Sequence, residues 1–471
     1  MRSRKDTVRD YFDGIADRID SWRKRNRYYH QDHVRYHRYL AGTGKRVLEL
    51  GSGTGELLNA LEPSRGVGIE LSPKTAQLSQ QRYPQLEIIN DDVESLGKLR
   101  SETFDYVVMS DLVGYLDDIQ SFFQSLRRFC ERDTRLVVSY YNFLWQPVLR
   151  LGERLGLKMP TPEQSWLSLQ DLENLLHLAG YETVKVERRL LFPKYVPLLS
   201  WLFNLIGTLP GINRACLAHY VVARPAAREH EQPLSTTVVI PCRDERDNIE
   251  PAIRRLPEFG GHQEVIFVDG HSSDGTPDEI RRVIEAYPDH DIKLMVQGGK
   301  GKGDAVRKGF AEATGDVLMI LDADLTVPPE ELPKFYNALQ QDMGEFINGS
   351  RLVYPLEGEA MRSLNLLGNK FFALAFSWLL GQRFKDTLCG TKVLRRQHYQ
   401  QLVKNRPYFG DFDPFGDFDL IFGASKLNLK IVEVPIRYRR RTYGDTKISR
   451  FRHGLLLLRM VVFGFRKIKA V

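Results

Sequence analysis

The stretch Gly315-Asp-Val-Leu-Met-Ile-Leu-Asp-Ala-Asp-Leu-Thr326 is compatible with few folds. Its apolar run, Val317 to Leu321, opens after Gly315 and stops abruptly in acid, the pattern of a strand buried on both faces of a parallel sheet. Such a strand delivers Asp322 and Asp324 to the carboxyl edge of the sheet, where open α/β folds bind ligands. Two carboxylates separated only by the small Ala323 suit a hard divalent ion that also takes oxygens from a diphosphate. An Asp-x-Asp pair is common in isolation, so its meaning depends on what surrounds it.

Upstream, the β-branched strand Thr236 to Ile240 runs into Pro241-Cys-Arg-Asp-Glu245 and a helix from near Asn248. A second apolar strand, Val265 to Val268, ends in Asp269-Gly-His-Ser-Ser-Asp-Gly-Thr276, a turn cluster that opens another helix. Gly298-Gly-Lys-Gly-Lys-Gly303 adds glycines for close backbone approach and lysines for phosphate. Three strand ends thus bring polar groups to one sheet edge.

With Gly301-Lys-Gly-Asp-Ala-Val-Arg307, Gly349-Ser-Arg351, Asp386-Thr-Leu-Cys-Gly-Thr-Lys392 and Arg441-Thr-Tyr-Gly-Asp-Thr-Lys447 in the same order, residues 235–450 resemble the family 2 glycosyltransferases of the GT-A fold. They are most similar to the dolichol-phosphate mannosyltransferase and polyprenyl-phosphate glycosyltransferase group. The resemblance implies base and ribose contacts from Pro241, Arg243, Glu245 and Asp269. It implies diphosphate and metal contacts from Lys302, Asp322, Ala323 and Asp324, with Asp322 and Asp324 holding Mg2+ or Mn2+. Thr326 stands where those enzymes often carry glutamine, and Cys242-Arg-Asp244 replaces their more usual Tyr-Asn environment, which leaves GDP- and UDP-sugars both open.

For the acceptor, Arg351, Arg441 and Lys447 are the expected phosphate contacts, since arginine captures phosphate in bidentate fashion. Met361 to Leu380, apolar with interspersed Asn, Lys and Arg, reads either as a packed helix or as one facing a membrane. Asp417 and Asp419, in Phe415-Gly-Asp-Phe-Asp-Leu420, match an acidic pair of the family, and one of them would serve as base toward a hydroxyl acceptor. A phosphate acceptor needs no strong base. In-line attack at the anomeric carbon, with the cation stabilising the departing diphosphate, inverts configuration.

The first half of the chain shows a different α/β pattern. Arg46-Val-Leu-Glu-Leu50 is a short strand, Gly51-Ser-Gly-Thr-Gly55 a glycine turn into a helix, and Val67 to Ile69 a strand ending at Glu70. An acidic residue there is placed to take both hydroxyls of a ribose. Strands Leu86 to Ile89 and Asp105 to Met109 follow, ending in Asn90-Asp-Asp92 and near Asp111. The turn follows Glu49 and lacks the third glycine of the dinucleotide fingerprint.

Val47 to Gly55, Glu70 and Asp92 together resemble the class I S-adenosylmethionine-dependent methyltransferases over residues 1–225. The resemblance places Gly51, Gly53 and Gly55 beside the cofactor's methionine portion, with Glu49 before them, Glu70 on the ribose and Asp92 at the adenine. Asp111, Tyr115, Tyr140 and His177 are all able to deprotonate a hydroxyl, and no single one stands out. Thr183 to Glu187 and His219 to Ala223 would complete this sheet. Between them lies Tyr195 to Ile212, broken by prolines, which reads equally as a core or dimer helix and as an element in a membrane interface.

The expected organisation is therefore α/β with two domains: a Rossmann-like class I methyltransferase (residues 1–225), a polar linker (226–234), and a GT-A glycosyltransferase (235–471) with a basic, amphipathic end. From Lys426 to Val471 there are 13 Lys or Arg against two acids, while the net charge of the whole chain is only +7. Because apolar runs such as Leu455 to Leu458 interleave with those cations, an anionic membrane surface fits better than nucleic acid. Four scattered cysteines, Cys130, Cys216, Cys242 and Cys389, suggest free thiols in a reducing compartment. No start resembling a signal peptide and no uninterrupted apolar span is visible. The expected protein is thus a cytoplasmic enzyme, peripheral on the inner face of the membrane, using S-adenosylmethionine, a nucleotide sugar and a lipid-phosphate acceptor. Two alternatives accompany it: sugar transfer to a hydroxyl, and a first half that only docks the second.

Overall fold

The computed structural model describes residues 3–354, 363–410, 413, 416–439, 443 and 450–470. The chain divides into two compact units, Met1–Ala226 with Ala470–Val471, and Ala227–Lys469. Each is built on a seven-stranded sheet.

In the first unit the strands are β1 Arg46–Leu50, β2 Arg65–Glu70, β3 Glu87–Asn90, β4 Phe104–Ser110, β5 Cys130–Tyr141, β6 Tyr181–Arg189 and β7 Ala218–Pro225. Their order is β3-β2-β1-β4-β5-β7-β6. The first five run parallel, and β7 enters antiparallel between β5 and β6. Val47, Leu48, Val107, Val108 and Val138 are sealed from solvent, as expected of strands covered by helices on both faces. Three helices, Arg4–Ile15, Ile19–Arg25 and Arg27–Ala41, precede β1. The last of them is tied to the sheet by a buried ion pair, Asp32 to Arg189, at 2.9 Å.

The segment Tyr195 to Ile212 contains one short helix, Leu199–Ile206, of which only Ser200 is buried. Trp201 is 66% exposed and Leu198 83%, so the segment is not a core helix of this unit.

The strands of the second unit are β8 Thr236–Cys242, β9 Gln263–Asp269, β10 Asp291–Val296, β11 Val317–Ile320, β12 Phe346–Ser350, β13 Lys392–Arg395 and β14 Ile431–Pro435. They lie in the order β10-β9-β8-β11-β13-β12-β14. The first four are parallel and β13 is antiparallel to both its neighbours. The carboxyl ends of β8, β9 and β11 therefore share one edge. Asp269 ends β9, Pro241 and Cys242 end β8, and Asp322 to Asp324 follow β11.

Helix Lys302–Glu312 crosses β8 and β9 at close range. A Cβ on Gly309 would lie 2.5 Å from a Val239 methyl and 3.2 Å from one of Val268. Among the described residues, no helix is long and apolar enough to cross a membrane. Arg441 and Lys447 lie outside the described residues.

Gly309→Val forces that helix off the sheet. The expected cost, read by denaturant unfolding, is about 1–3 kcal/mol, the usual penalty for overpacking a core.

Candidate active sites

In the second unit the charged centre is Lys302, at the first turn of its helix. Its Nζ lies 2.6 Å from Asp322 Oδ1 and 4.0 Å from Asp417 Oδ1. Burial works against the lysine's charge, but Asp322 and Asp417 more than offset it and raise Lys302 above its ordinary range. Asp322 is likewise pulled below the usual carboxylate range despite its burial, chiefly by Lys302. Asp324 Oδ1 accepts from the Thr326 backbone N–H at 3.1 Å and from the Thr326 hydroxyl at 2.8 Å. Thr326 thus orients the second carboxylate.

Two features let these groups converge. Gly303 and Gly416 pass so closely that a Cβ on Gly303 would sit 2.7 Å from the Gly416 Cα. That approach brings Asp417 to the lysine. Gly390 lies against Asp322 and Lys302, with no room for a side chain. Lys392, wholly buried, donates to the Cys389 carbonyl and stands 3.9 Å from Asp417 Oδ1.

The residues expected at the base and ribose flank this centre. Asp269 is buried; its Oδ2 accepts from the Ser272 N–H at 3.2 Å, and its Oδ1 has no hydrogen-bond partner among the described residues. An unsatisfied buried carboxylate oxygen is costly, and a ligand donor such as a ribose hydroxyl would satisfy it. Glu245 Oε2 accepts from Asn248 at 2.7 Å. Arg243 extends into solvent, with its side chain 66% exposed. Ala323 is buried between the two acids.

The structure gives two residues partners other than those expected. Asp419 turns away from Lys302 and pairs with Arg406 at 2.9 Å, so only Asp417 of the acidic pair faces the lysine. Arg351 presents its fork to Asp386, through Nε at 2.7 Å and Nη2 at 2.8 Å, and lies over the Tyr438 ring. Burial would raise Asp386, yet Arg351 holds it below the usual carboxylate range. The Nε–Nη2 edge of the guanidinium is engaged, which makes Arg351 a brace for the Asp386–Lys392 loop.

In the first unit a cavity of about 690 Å³ lies beyond the carboxyl ends of β1, β2 and β4. Glu49, Gly51, Gly53, Glu70, Asp92 and Asp111 all line it. Gly55 adopts φ +76°, and a Cβ there would collide with Ser79, so the turn admits only glycine at that point. Glu70 accepts from the Gly53 N–H at 2.8 Å and the Ser72 N–H at 2.9 Å. Asp92 is paired with Lys5 at 2.7 Å. Burial pushes Glu49 up to about 8 against the opposing charge of Arg23, and its Oε2 has no partner among the described residues. The glycine cradle and this orphaned acid suit a cofactor that brings positive charge and hydrogen-bond donors. His177 and Tyr140 do not line the cavity, whereas Asp111 and Tyr115 do.

A family model described as glycosyl transferase family 2 matches residues 237–402. A dolichyl-phosphate hexose transferase from Haloferax volcanii is 32% identical over 204 residues, which cover 43% of this chain and 81% of that protein. The chain belongs to glycosyl transferase family 2. This family 2 glycosyltransferase also resembles the undecaprenyl-phosphate 4-deoxy-4-formamido-L-arabinose transferase of Klebsiella pneumoniae, 26% identical over 217 residues. That match covers 45% of the chain and 62% of the relative's length. Residues 21–186 match a methyltransferase domain model. Among solved structures, a Thermotoga maritima S-adenosylmethionine-dependent methyltransferase aligns with 18% identity and a TM-score of 0.38, covering 46% of this chain and 99% of that one.

Several residues at the two candidate sites escape a reading from sequence. Lys392 and Gly390 sit inside a recognisable motif but act through a close approach that only the folded chain creates. Arg23, which donates to Glu56 at 2.8 Å across the mouth of the glycine turn, comes from a helix crowded with similar cations.

Two outcomes are expected. Gly390→Ala places a methyl group against Asp322 and Lys302, and should weaken nucleotide-diphosphate binding in the presence of Mn2+ by at least about tenfold in calorimetry, since charge-assisted contacts of this kind contribute about 1.5–3 kcal/mol. Glu49 remains protonated in the fold up to about pH 8, while the unfolded chain releases that proton near 4.5. Its contribution to stability is therefore lost as pH rises between those values. Glu49→Gln should melt above the parent protein at pH 9 and close to it at pH 4.

Proposed function

We propose that the chain is a bifunctional transferase. Its second unit transfers a sugar from a nucleoside diphosphate to a polyprenyl-type lipid phosphate with inversion, and its first unit transfers a methyl group from S-adenosylmethionine. The observation that carries the first part is the grouping of Lys302, Asp322, Asp324 and Asp417 at the shared edge of β8, β9 and β11. Asp322 and Asp324 are the residues that would hold Mg2+ or Mn2+, with Thr326 fixing the orientation of Asp324. A divalent cation there supplies charge neutralisation for the departing diphosphate.

The remaining work falls to the chain's own side chains. Lys302 stands ready for phosphate oxygens, and exchanging Asp322 for a diphosphate contact keeps its charge compensated. Asp269 offers its unpaired Oδ1 to a ribose hydroxyl. The choice between GDP- and UDP-sugars rests with the loop Arg243 to Glu245. The basic segment containing Arg441 and Lys447 is assigned to the acceptor phosphate on the strength of its motif.

Helices Ser363–Leu380 and Arg450–Gly464 pack against each other. Phe371 and Leu374 on one, and Leu455, Leu458 and Val462 on the other, are exposed. With Arg459, Arg466 and Lys467 nearby in sequence, this surface suits peripheral contact with an anionic leaflet, on the cytoplasmic side.

A second reading, transfer to a hydroxyl, is favoured by Asp417. Its buried Oδ1 has no hydrogen-bond partner among the described residues and lies within 4.0 Å of both Lys302 and Lys392, so it is placed to accept a hydroxyl proton. The two readings separate in one experiment. The purified chain is incubated with Mn2+, a short polyprenyl phosphate in detergent and a panel of GDP- and UDP-sugars, and the lipid is followed by mass. A glycosylated lipid phosphate whose formation falls by at least about 100-fold in Asp324→Asn, the scale on which single electrostatic stabilisers act, supports the first reading. Transfer only to unphosphorylated acceptors, abolished in Asp417→Asn, replaces it with the second.

A further inference from the structure

The cavity of the first unit has a second wall that a polar cofactor does not require. Trp145, Val148, Leu149, Leu151, Leu155 and Phe192 line it together with the glycine turn. Most of these lie on or beside helix Gln146–Arg154, none of whose residues is buried. Val148 and Leu151 are each 54% exposed while lining the cavity, and Leu155 is 63% exposed. An apolar wall that opens to the surface along one helix suits a long chain that enters lengthwise.

At the inner end stands Asp111, just past the carboxyl end of β4. It adopts φ +53°, a conformation uncommon outside glycine, and accepts from the Tyr29 hydroxyl at 3.1 Å. Tyr141 also bonds to its carboxylate, and Lys158 acts on it from a distance. Behind it, Ser110 bonds to His33, which meets Tyr220. Burial pushes Asp111 up to about 6, which suits an acid–base group working near neutrality.

We propose that the first unit methylates a hydroxyl carried by a long-chain amphiphile, the chain lying under helix Gln146–Arg154 and the hydroxyl against Asp111. This rests on the methyl-transfer reading and names its acceptor class. The acceptor oxygen forms the new C–O bond as the bond from the methyl carbon to the sulfonium sulfur breaks. The electron pair of that bond stays on sulfur, and the hydroxyl proton passes to Asp111. Tyr29 and Tyr141 orient the carboxylate.

Trp145 supplies a reporter. In the full chain, 12-bromododecan-1-ol should quench its fluorescence saturably, and bind at least about 100-fold more tightly than 3-bromopropan-1-ol, because each buried methylene adds to affinity. Trp145→Phe should diminish the signal, the remainder coming from Trp22, which also lines the cavity. Leu151→Asp, at an exposed position that leaves folding intact, should weaken the long alcohol at least about tenfold and leave calorimetric binding of S-adenosylmethionine unchanged. Equal binding of the two alcohols, or quenching indifferent to Leu151→Asp, overturns the proposal.

With methyl-labelled S-adenosylmethionine and a detergent-dispersed total lipid extract, label should enter the organic phase. It should fail to do so in Asp111→Asn, which still binds the bromoalcohol. Label confined to water-soluble products overturns the acceptor class, and transfer that persists in Asp111→Asn overturns the role of Asp111. Absence of S-adenosylmethionine binding would instead remove the methyl-transfer reading itself, while the bromoalcohol titration would still report on the chain site.

Discussion

A strand covered on both faces can place polar groups only at its ends. This constraint organises both units. Val47, Leu48 and Leu50 are sealed in one sheet, and Val317 to Ile320 in the other, so each strand carries its chemistry at or near its carboxyl end. In the second unit the result is a lysine held between two carboxylates, with a further acid, Asp269, ending β9 on the same edge. Bringing like charges together in a partly buried edge is unfavourable unless a cation stands among them. Lys302 plays that part in the structure, from a helix start beside the Gly303–Gly416 approach.

The parallel part of each fold was legible because apolar runs ending in acid or glycine are strong signals. β1, β2, β4, β8, β9 and β11 all fall near where the residue pattern places them. The strands that were not legible are those whose patterns are weak for physical reasons. β13, Lys392–Arg395, is four residues long and antiparallel between two partners, so length and alternation both fail. β10, Asp291–Val296, lies at a sheet edge with one fully buried residue, Ile292. β5, Cys130–Tyr141, begins in a charged stretch, Glu131-Arg-Asp133, that reads as a loop.

The site was legible at the level of motifs and not at the level of partners. Asp417 and Asp419 are two residues apart at the start of a helix, and helical geometry sends such neighbours in different directions. One therefore meets Lys302 and the other Arg406. Arg351 carries the signature of a phosphate ligand, yet Asp386, distant in sequence, reaches its fork first. A planar guanidinium matches a carboxylate as well as it matches phosphate, and only the folded chain decides which it meets. Thr326 shows the converse. A departure from the expected glutamine keeps the second acid in place through two short hydrogen bonds.

Both units also share a feature that sheet geometry does not demand, namely grouped exposed apolar side chains. In the second unit these are Phe371, Leu374 and Leu455 on paired helices, and in the first they are Val148, Leu151 and Leu155 on the wall of the cavity. Isolated exposed leucines need no explanation, but grouped ones carry a hydrophobic cost that a purely water-soluble substrate would not repay. The proposed polyprenyl-type acceptor for one unit and the proposed chain-bearing alcohol for the other would account for both groups by the same physics. If both proposed substrates are amphiphiles, residence at a bilayer would serve both reactions, and the basic, apolar-interleaved run from Lys426 onward is the segment whose composition suits it.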